Sequence, residues 1–260
     1  MQTQHTLHTV PRSLSWLASL STRLRALLLL ACLLFCAGRA GAQGTPGTVI
    51  YWSNTNGSSI GRANLDGTGV IQNFIGAPFP SGVAVGGNFI YWSQFDGTIH
   101  RANLDGTGNT TLLTGLGVGT SGIAVNGTHL FWTNADGGNV GRANLDGTAA
   151  NSNFITGGNR IRDVALNGTH IFWTNYSGTT IGRANLDGTG VNGSFLAVQD
   201  GLAGVFVDAN YIYWSRVGAG NGTTLGRAAL DGTGRNDAFI SGAGVPSGGT
   251  VTATHLYWAK

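Results

Sequence analysis

This sequence predicts an all-β fold assembled from four-stranded antiparallel units, on three observations. The segment GRANLDGT recurs almost unchanged from Gly61, Gly141 and Gly182, with HRANLDGT at His100 and GRAALDGT at Gly226. An aromatic pair precedes each copy: Tyr51-Trp52, Tyr91-Trp92, Phe131-Trp132, Phe172-Trp173 and Tyr213-Trp214. A sixth pair, Tyr257-Trp258, has no copy after it. Successive Trp positions of these pairs are 40, 40, 41, 41 and 44 residues apart, so one structural unit repeats along the chain.

The unit starting at Ser121 justifies each strand in order. Ser121–Val125 is a short apolar strand that ends in the turn Asn126-Gly127-Thr128. His129–Thr133 is a second strand, rich in the aromatic residues that favour sheets. The loop 134–138 leads to a third strand, Asn139–Leu145, closed by the turn Asp146-Gly147-Thr148, and Asn153–Ile155 is a fourth. Asn-Gly and Asp-Gly mark hairpins because both tolerate the positive φ that tight turns need.

Four short strands per repeat, copied in series, are the pattern of a β-propeller blade. The aromatic pairs point the same way. Adjacent strand residues face opposite sides of a sheet, so Tyr51 and Trp52 are both buried only if both faces are covered, as by neighbouring blades. Each buried ring removes roughly 150–250 Å² from water, a gross gain of about 4–6 kcal/mol before ordering entropy is subtracted. No blade holds that alone, so stability belongs to the ring. Strand counting gives 21 strands, against 24 for six complete blades and 20 for five. The expectation is a six-bladed propeller with an incomplete blade, and the alternative is five-bladed.

Residues 1–42 read as a cleavable signal peptide and 43–260 as a single propeller domain. Arg12, Arg23 and Arg25 precede a short apolar run, Ala26–Ala37, and Ala40-Gly41-Ala42 is an A-x-A cleavage signal. The run is too short to span a bilayer, which takes about 20 residues. Both cysteines, Cys32 and Cys36, lie in it, so the processed chain has no disulfides. Arg12, Arg23, Arg25 and Arg39 are four of the 14 basic residues; ten then face 11 acids, all of them Asp. The basic balance is therefore the leader's. It argues for no nucleic-acid partner, and no stable membrane insertion is expected after leader removal.

The order of aromatic-Trp-Ser/Thr, then GRANLDGT, then a Gly-Ile/Val-Ala-Val strand resembles the YWTD (class B) repeats of the low-density lipoprotein receptor family, from Val49 to Trp258. That resemblance implies a six-bladed propeller and extracellular binding of protein ligands. The chain departs from the pattern after the Ser/Thr: the family's Asp is replaced by Asn54, Gln94, Asn134, Asn175, Arg216 and Lys260. In the family this acid helps tie neighbouring blades, which implies that an amide does so here. The leader and the lack of companion modules look like a bacterial exported protein, extracellular or in the periplasm or cell envelope.

Repeated residues read as scaffold. The Asp of each LDGT caps its own turn, and the Arg of each repeat lies along the neighbouring blade with its head on backbone carbonyls. One Asp per turn supplies too few oxygens for Ca²⁺. His129, His170 and His255 occupy one slot in different blades and do not converge on a metal; no cofactor is expected. The Asn-Gly-Ser/Thr tripeptides at Asn56, Asn126, Asn167, Asn192 and Asn221 read as turns rather than glycosylation sites.

Unrepeated loop residues are the place to look for a partner. Alternation of strands puts the second-to-third and blade-to-blade loops on one face, and the LDGT and NGTH turns on the other. The first face carries the candidate binding residues Phe79, Phe95, Asp96, Asp136, Arg160, Arg162, Tyr176 and Arg216, with Asp163 and Asp200 nearby. Aromatic and Arg residues are typical anchors of binding surfaces. The function expected is a non-catalytic binding or scaffold module for a protein, glycan or cell-surface ligand. The alternatives are a secreted propeller lyase or hydrolase and a structural envelope component. No nucleophile–base pair stands out, and Asp136, Asp163, Asp200 and Asp208 would have to converge for the enzyme.

Overall fold

A computed structural model of the protein describes residues 8–11, 49–198, 201–216, 224–244 and 246–259. The candidates Asp200, Asn221 and Lys260 lie outside the described residues, as does all of the leader segment except 8–11. The described residues form 22 strands and no helix, so none of them forms a helix long and apolar enough to cross a membrane.

Five sheets follow the chain as blades of a β-propeller. The first has three strands, β2 (Val49–Asn54), β3 (Ser59–Asn64) and β4 (Ile71–Gly76). The second holds β5 (Pro80–Gly86), β6 (Phe89–Gln94), β7 (Thr98–Asn103) and β8 (Thr110–Leu113). The third holds β9 (Thr120–Val125), β10 (His129–Asn134), β11 (Asn139–Asn144) and β12 (Asn151–Ile155). The fourth holds β13 (Ile161–Leu166), β14 (His170–Asn175), β15 (Thr180–Asn185) and β16 (Asn192–Ala197), and the fifth β17 (Leu202–Val207), β18 (Tyr211–Arg216), β19 (Thr224–Ala229) and β20 (Asn236–Ile240). A further sheet pairs β21 (Gly248–Val251) with β22 (His255–Ala259), and β22 with β1 (His8–Pro11). β1 thus flanks β22 where the other sheets place the GRANLDGT strand, with His8 opposite Trp258 and Pro11 opposite His255.

The core lies between sheets. Phe131 and Val140 of the third blade pack in one cluster with Ile161, Val164, Ile171 and Trp173 of the fourth. Both members of the aromatic pairs at 91–92, 131–132, 172–173, 213–214 and 257–258 are buried. The first pair is less covered: Trp52 is buried and Tyr51 half-buried.

The repeated Gly has a specific cause. Gly61, Gly141, Gly182 and Gly226 stand directly opposite the Trp of their blade. A Cβ there would fall 2.1–2.4 Å from the indole, so the ring lies on bare backbone. In the second blade His100 takes this place and its ring stacks on Trp92, 5.5 Å between centroids and 12° between planes. The repeated Arg is clamped by aromatics: Arg142 and Arg183 each sit 4.0 Å from the ring centres of Phe154 and Phe195 on the fourth strand. Arg101, whose fourth strand has no Phe, uses Phe89 of the second strand at 4.4 Å. As expected, heads of the repeated Arg reach the neighbouring blade, Arg101 to the Leu145 carbonyl and Arg183 to the Leu230 carbonyl, each at 3.3 Å.

The expected amide tie is found in part. Asn175 donates to Gly193 O and Thr180 Oγ1 within its own blade and accepts from Asn159 N of the loop between blades, and Asn134 donates to Leu116 O, whose N–H is held by Gly97 O of the second blade. The hydroxyl before each amide joins the blades as well. Thr133 Oγ1 accepts from Gly122 N of its own first strand and donates to Arg162 O of the next blade. Ser93 likewise accepts from Gly82 N and donates to Ser121 O. Tyrosine hydroxyls add a second tie, Tyr51 to Leu104 O and Tyr91 to Leu145 O. Tyr257 makes the same contact from the last sheet to Leu65 O of the first.

Candidate functional site at the channel mouth

The first strands β5, β9, β13, β17 and β21 touch in series and, with β2, surround a channel of about 760 Å³. Its far end, a cavity of about 390 Å³, is lined by the turns after the first strands, including Asn126-Gly127 and Asn167-Gly168. The opposite mouth lies on the face of second-to-third and blade-to-blade loops.

Tight packing dictates the wall. Cβ atoms added at Gly82 and Gly122 would fall 2.7 and 2.6 Å from the next first strand, so only glycine fits. The equivalent pairs around the wall read Ser81-Gly82, Ser121-Gly122, Arg162-Asp163 and Ala203-Gly204. The fourth blade breaks the series by placing an acid where the others place Gly.

Asp163 acts as a wedge between β13 and β17. Its Oδ1 accepts from Val164 N and its Oδ2 from Val205 N of the next blade, both at 2.9 Å. Part of its surface stays open to the lumen. The low-dielectric wall pushes its carboxyl up to about 6, against the pull of the two backbone N–H groups and of Arg162.

Above this wedge, three of the sequence candidates come together. The guanidinium carbon of Arg162 lies 5.5 Å, and that of Arg160 5.9 Å, from the centre of the Tyr176 ring. Their loops are laced by backbone: Tyr176 N donates to Arg160 O and Ser177 N to Asn159 O, while Asn175 Oδ1 accepts from Asn159 N. Arg160 itself has a φ of 52°, unusual for a residue with a Cβ. All three side chains are exposed, and neither Arg has an ion-pair partner among the described residues.

The remaining candidates are placed apart from this cluster. Phe79 and Phe95 are exposed on loops of the same face, at 66% and 55% of their full surface. Asp96 is a turn cap, its Oδ1 accepting from Thr98 N and Oγ1. Asp136 abuts Gly119, which also joins the two loops: Gly119 N donates to Phe95 O, and Ala135 N to Gly119 O. Arg216 ends β18 and is half-buried, paired across to Leu202 and Thr224. Among the described residues the aspartates do not converge. Asp208 lies at the far end of the channel, accepting from Asn210 N, Tyr211 N and the Tyr213 hydroxyl. No group of three His, Cys, Asp or Glu able to hold a metal occurs among the described residues.

Two features escaped sequence reasoning. Val118, 57% exposed on the loop before β9, adds apolar surface to this face. Its signal was an apolar residue inside a Gly-rich loop. The wedge role of Asp163 was signalled by an Asp in the column of Gly82, Gly122 and Gly204.

Comparisons with known proteins fit this architecture. No family model and no curated protein matches the chain. Among solved structures, it is similar to one from a nidogen/laminin complex at 22% identity and TM-score 0.61, over 72% of this chain and 74% of that one. It is similar to a streptogramin B lyase at 16% identity and TM-score 0.60, over 85% and 78%. It is also similar to a catalytically inactive histidine-to-alanine variant of virginiamycin B lyase from Staphylococcus aureus, with quinupristin, at 13% identity and TM-score 0.61, over 98% and 82%. At such identities the likeness shows the fold, a β-propeller.

Proposed function

We propose that this chain is an exported, non-catalytic binding propeller whose loop face around the channel mouth holds a protein or glycan ligand. The observation that carries the reading is the Arg160–Tyr176–Arg162 cluster, exposed and without an ion pair among the described residues, at the edge of the channel wall. Phe79, Phe95 and Val118 extend it with apolar surface on the same face. Aromatic and Arg anchors beside exposed apolar side chains are the ordinary make-up of a binding patch.

The ring belonging to this reading has six blades, the last built from β21 and β22, closed onto the first by Tyr257. The 1–42 segment is a signal peptide in this reading, so its cleavage removes β1 from the edge of β22 and leaves β21 and β22 to close the ring; the repeats are a divergent form of the YWTD type. The nidogen/laminin neighbour supports binding. The lyase neighbours support it less: one is inactivated by loss of a histidine, and no histidine lines this channel among the described residues. Asp163, the channel acid with the raised pKa, has both oxygens engaged with backbone N–H groups.

Affinity capture from the envelope fraction, with the processed protein as bait, tests the proposal. Wild type should retain a component that a Phe95→Ala/Tyr176→Ala/Arg162→Ala variant of unchanged thermal midpoint does not. Identical capture by both would assign binding to another surface.

A further inference from the structure

We infer that the group recognised at the channel mouth is the carboxylate of an acidic saccharide, a uronate, gripped between Arg160 and Arg162 with its ring beside Tyr176. The inference rests on the binding function proposed above and names its ligand class.

Three observations point there together. First, two guanidiniums approach one phenol ring, at 5.5 and 5.9 Å, and neither forms an ion pair among the described residues. Such a pair suits a planar anion, because guanidinium donors match both oxygens of a carboxylate. Second, the cluster continues directly into the channel through Arg162, which lines it. Beyond Arg162 and Asp163 the wall next to the mouth carries neutral hydroxyl and amide groups: Thr55, Asn56, Ser81, Ser121 and Ser247. Ser81 and Ser121 hydroxyls are 3.1 Å apart, a ready pair for sugar hydroxyls. Third, the channel volume of about 760 Å³ accommodates a short oligosaccharide end and lies within the usual range for ligand pockets.

An acidic peptide would satisfy the arginines but meet the mouth hydroxyls with only one N–H and one C=O per residue, fewer hydrogen-bonding groups than a sugar ring presents. A neutral sugar would use the funnel and leave two positive charges unmatched. The uronate uses both. Asp163 sits beneath and interacts with Arg162 through space, but both its oxygens accept from backbone N–H groups and it forms no ion pair with either guanidinium, whose donors stay open to a ligand.

Isothermal titration of the processed protein with trigalacturonate, maltotriose and a tri-aspartate peptide tests this directly. Trigalacturonate should bind at least tenfold more tightly than either comparator, and more weakly as salt rises. Arg162→Gln should weaken it at least tenfold, Arg160→Gln several-fold, and Tyr176→Leu several-fold. Thermal midpoints should stay unchanged. Tighter binding of the tri-aspartate peptide, or equal binding of maltotriose, overturns the inference. So does a uronide affinity untouched by Arg162→Gln. Absence of uronide binding while loop-face residues still govern capture from the envelope fraction would overturn the ligand class and leave the binding function standing; loss of both would remove the two together.

Discussion

The third and fourth blades are near twins through their second and third strands, and differ at the first. His129–Asn134 and His170–Asn175 differ by one residue, Leu130 against Ile171, and both blades bury the same Phe-Trp pair against a Gly. Their first strands begin Thr120-Ser121-Gly122 and Ile161-Arg162-Asp163. The shared part is what any blade needs to be covered on both faces. The differing part divides: Thr120 and Ile161 are fully buried, Gly122 and Asp163 set the contact with the next first strand, and Ser121 and Arg162 face the channel and its mouth. Repetition therefore marks load shared by the ring, and departure from repetition marks a place with another task.

If that comparison holds, the largest effects come from the shared part and are equal in the two blades. Trp132→Ala and Trp173→Ala should each lower unfolding free energy by about 4 kcal/mol, as removal of a fully buried ring does. Denaturant titration reads this, and a twofold disparity between them would break the symmetry. Next come Gly141→Ala and Gly182→Ala. Each places a methyl within 2.2 and 2.1 Å of its indole and should cost about 2–3 kcal/mol. His100→Gly should cost far less, since the second blade already holds a side chain in that column.

A third effect belongs to the hydroxyl tie. Thr133→Val would leave Gly122 N and Arg162 O without their partner and should cost about 2 kcal/mol. Asn134→Ala tests the amide: its loss should loosen the 116–119 loop between the second and third blades, seen by hydrogen exchange, and leave exchange within the third blade's central strands unchanged.

The wedge gives a pH signature particular to the fourth blade. Asp163 is raised to about 6, so between the unfolded value near 4 and that point the folded state holds a proton the unfolded chain has released. Its contribution therefore favours folding at low pH and is lost as pH rises through 6, by at most about 3 kcal/mol given its partial contact with the lumen. Asp163→Asn should flatten thermal midpoint against pH over this window. The turn acids run the other way. Asp66, Asp105, Asp146, Asp187 and Asp231 are held below the usual carboxylate range by the Thr hydroxyl and N–H two residues on. What they add is present at neutral pH and lost in stronger acid, so the two sets separate by window. The smallest effect on stability is at the mouth: Arg160→Gln and Arg162→Gln should each shift it by no more than about 0.5 kcal/mol.

Blade architecture was legible in the sequence because it is periodic. In the third blade the strands expected over 121–125, 129–133 and 139–145 are found within a residue at each end, and the fourth begins two residues earlier, at Asn151. The capping role of each LDGT Asp and the reach of the repeated Arg followed from local turn chemistry. Contacts between blades were less legible, since they join residues 28 or 29 apart with no sequence mark; hence the ties that Ser53, Ser93 and Thr133 make beside the amides are not read from the sequence. Of the candidate site, residue types named Arg160, Arg162 and Tyr176, but that these three meet depends on the loop backbone around Asn159. The last sheet was the least legible. Its β22 pairs with residues 8–11, a long-range choice that periodicity does not encode.

The sharpest test of repetition as scaffold and departure as site is to exchange the departure. Arg160→Ser/Arg162→Ser gives the fourth-blade mouth the neutral character of the third, and retention of envelope components by this variant is compared with wild type. The account predicts that specific retention is lost from a ring that unfolds at the same temperature. Undiminished retention would contradict it, as would a ring that loses its fold when only these two exposed side chains are changed.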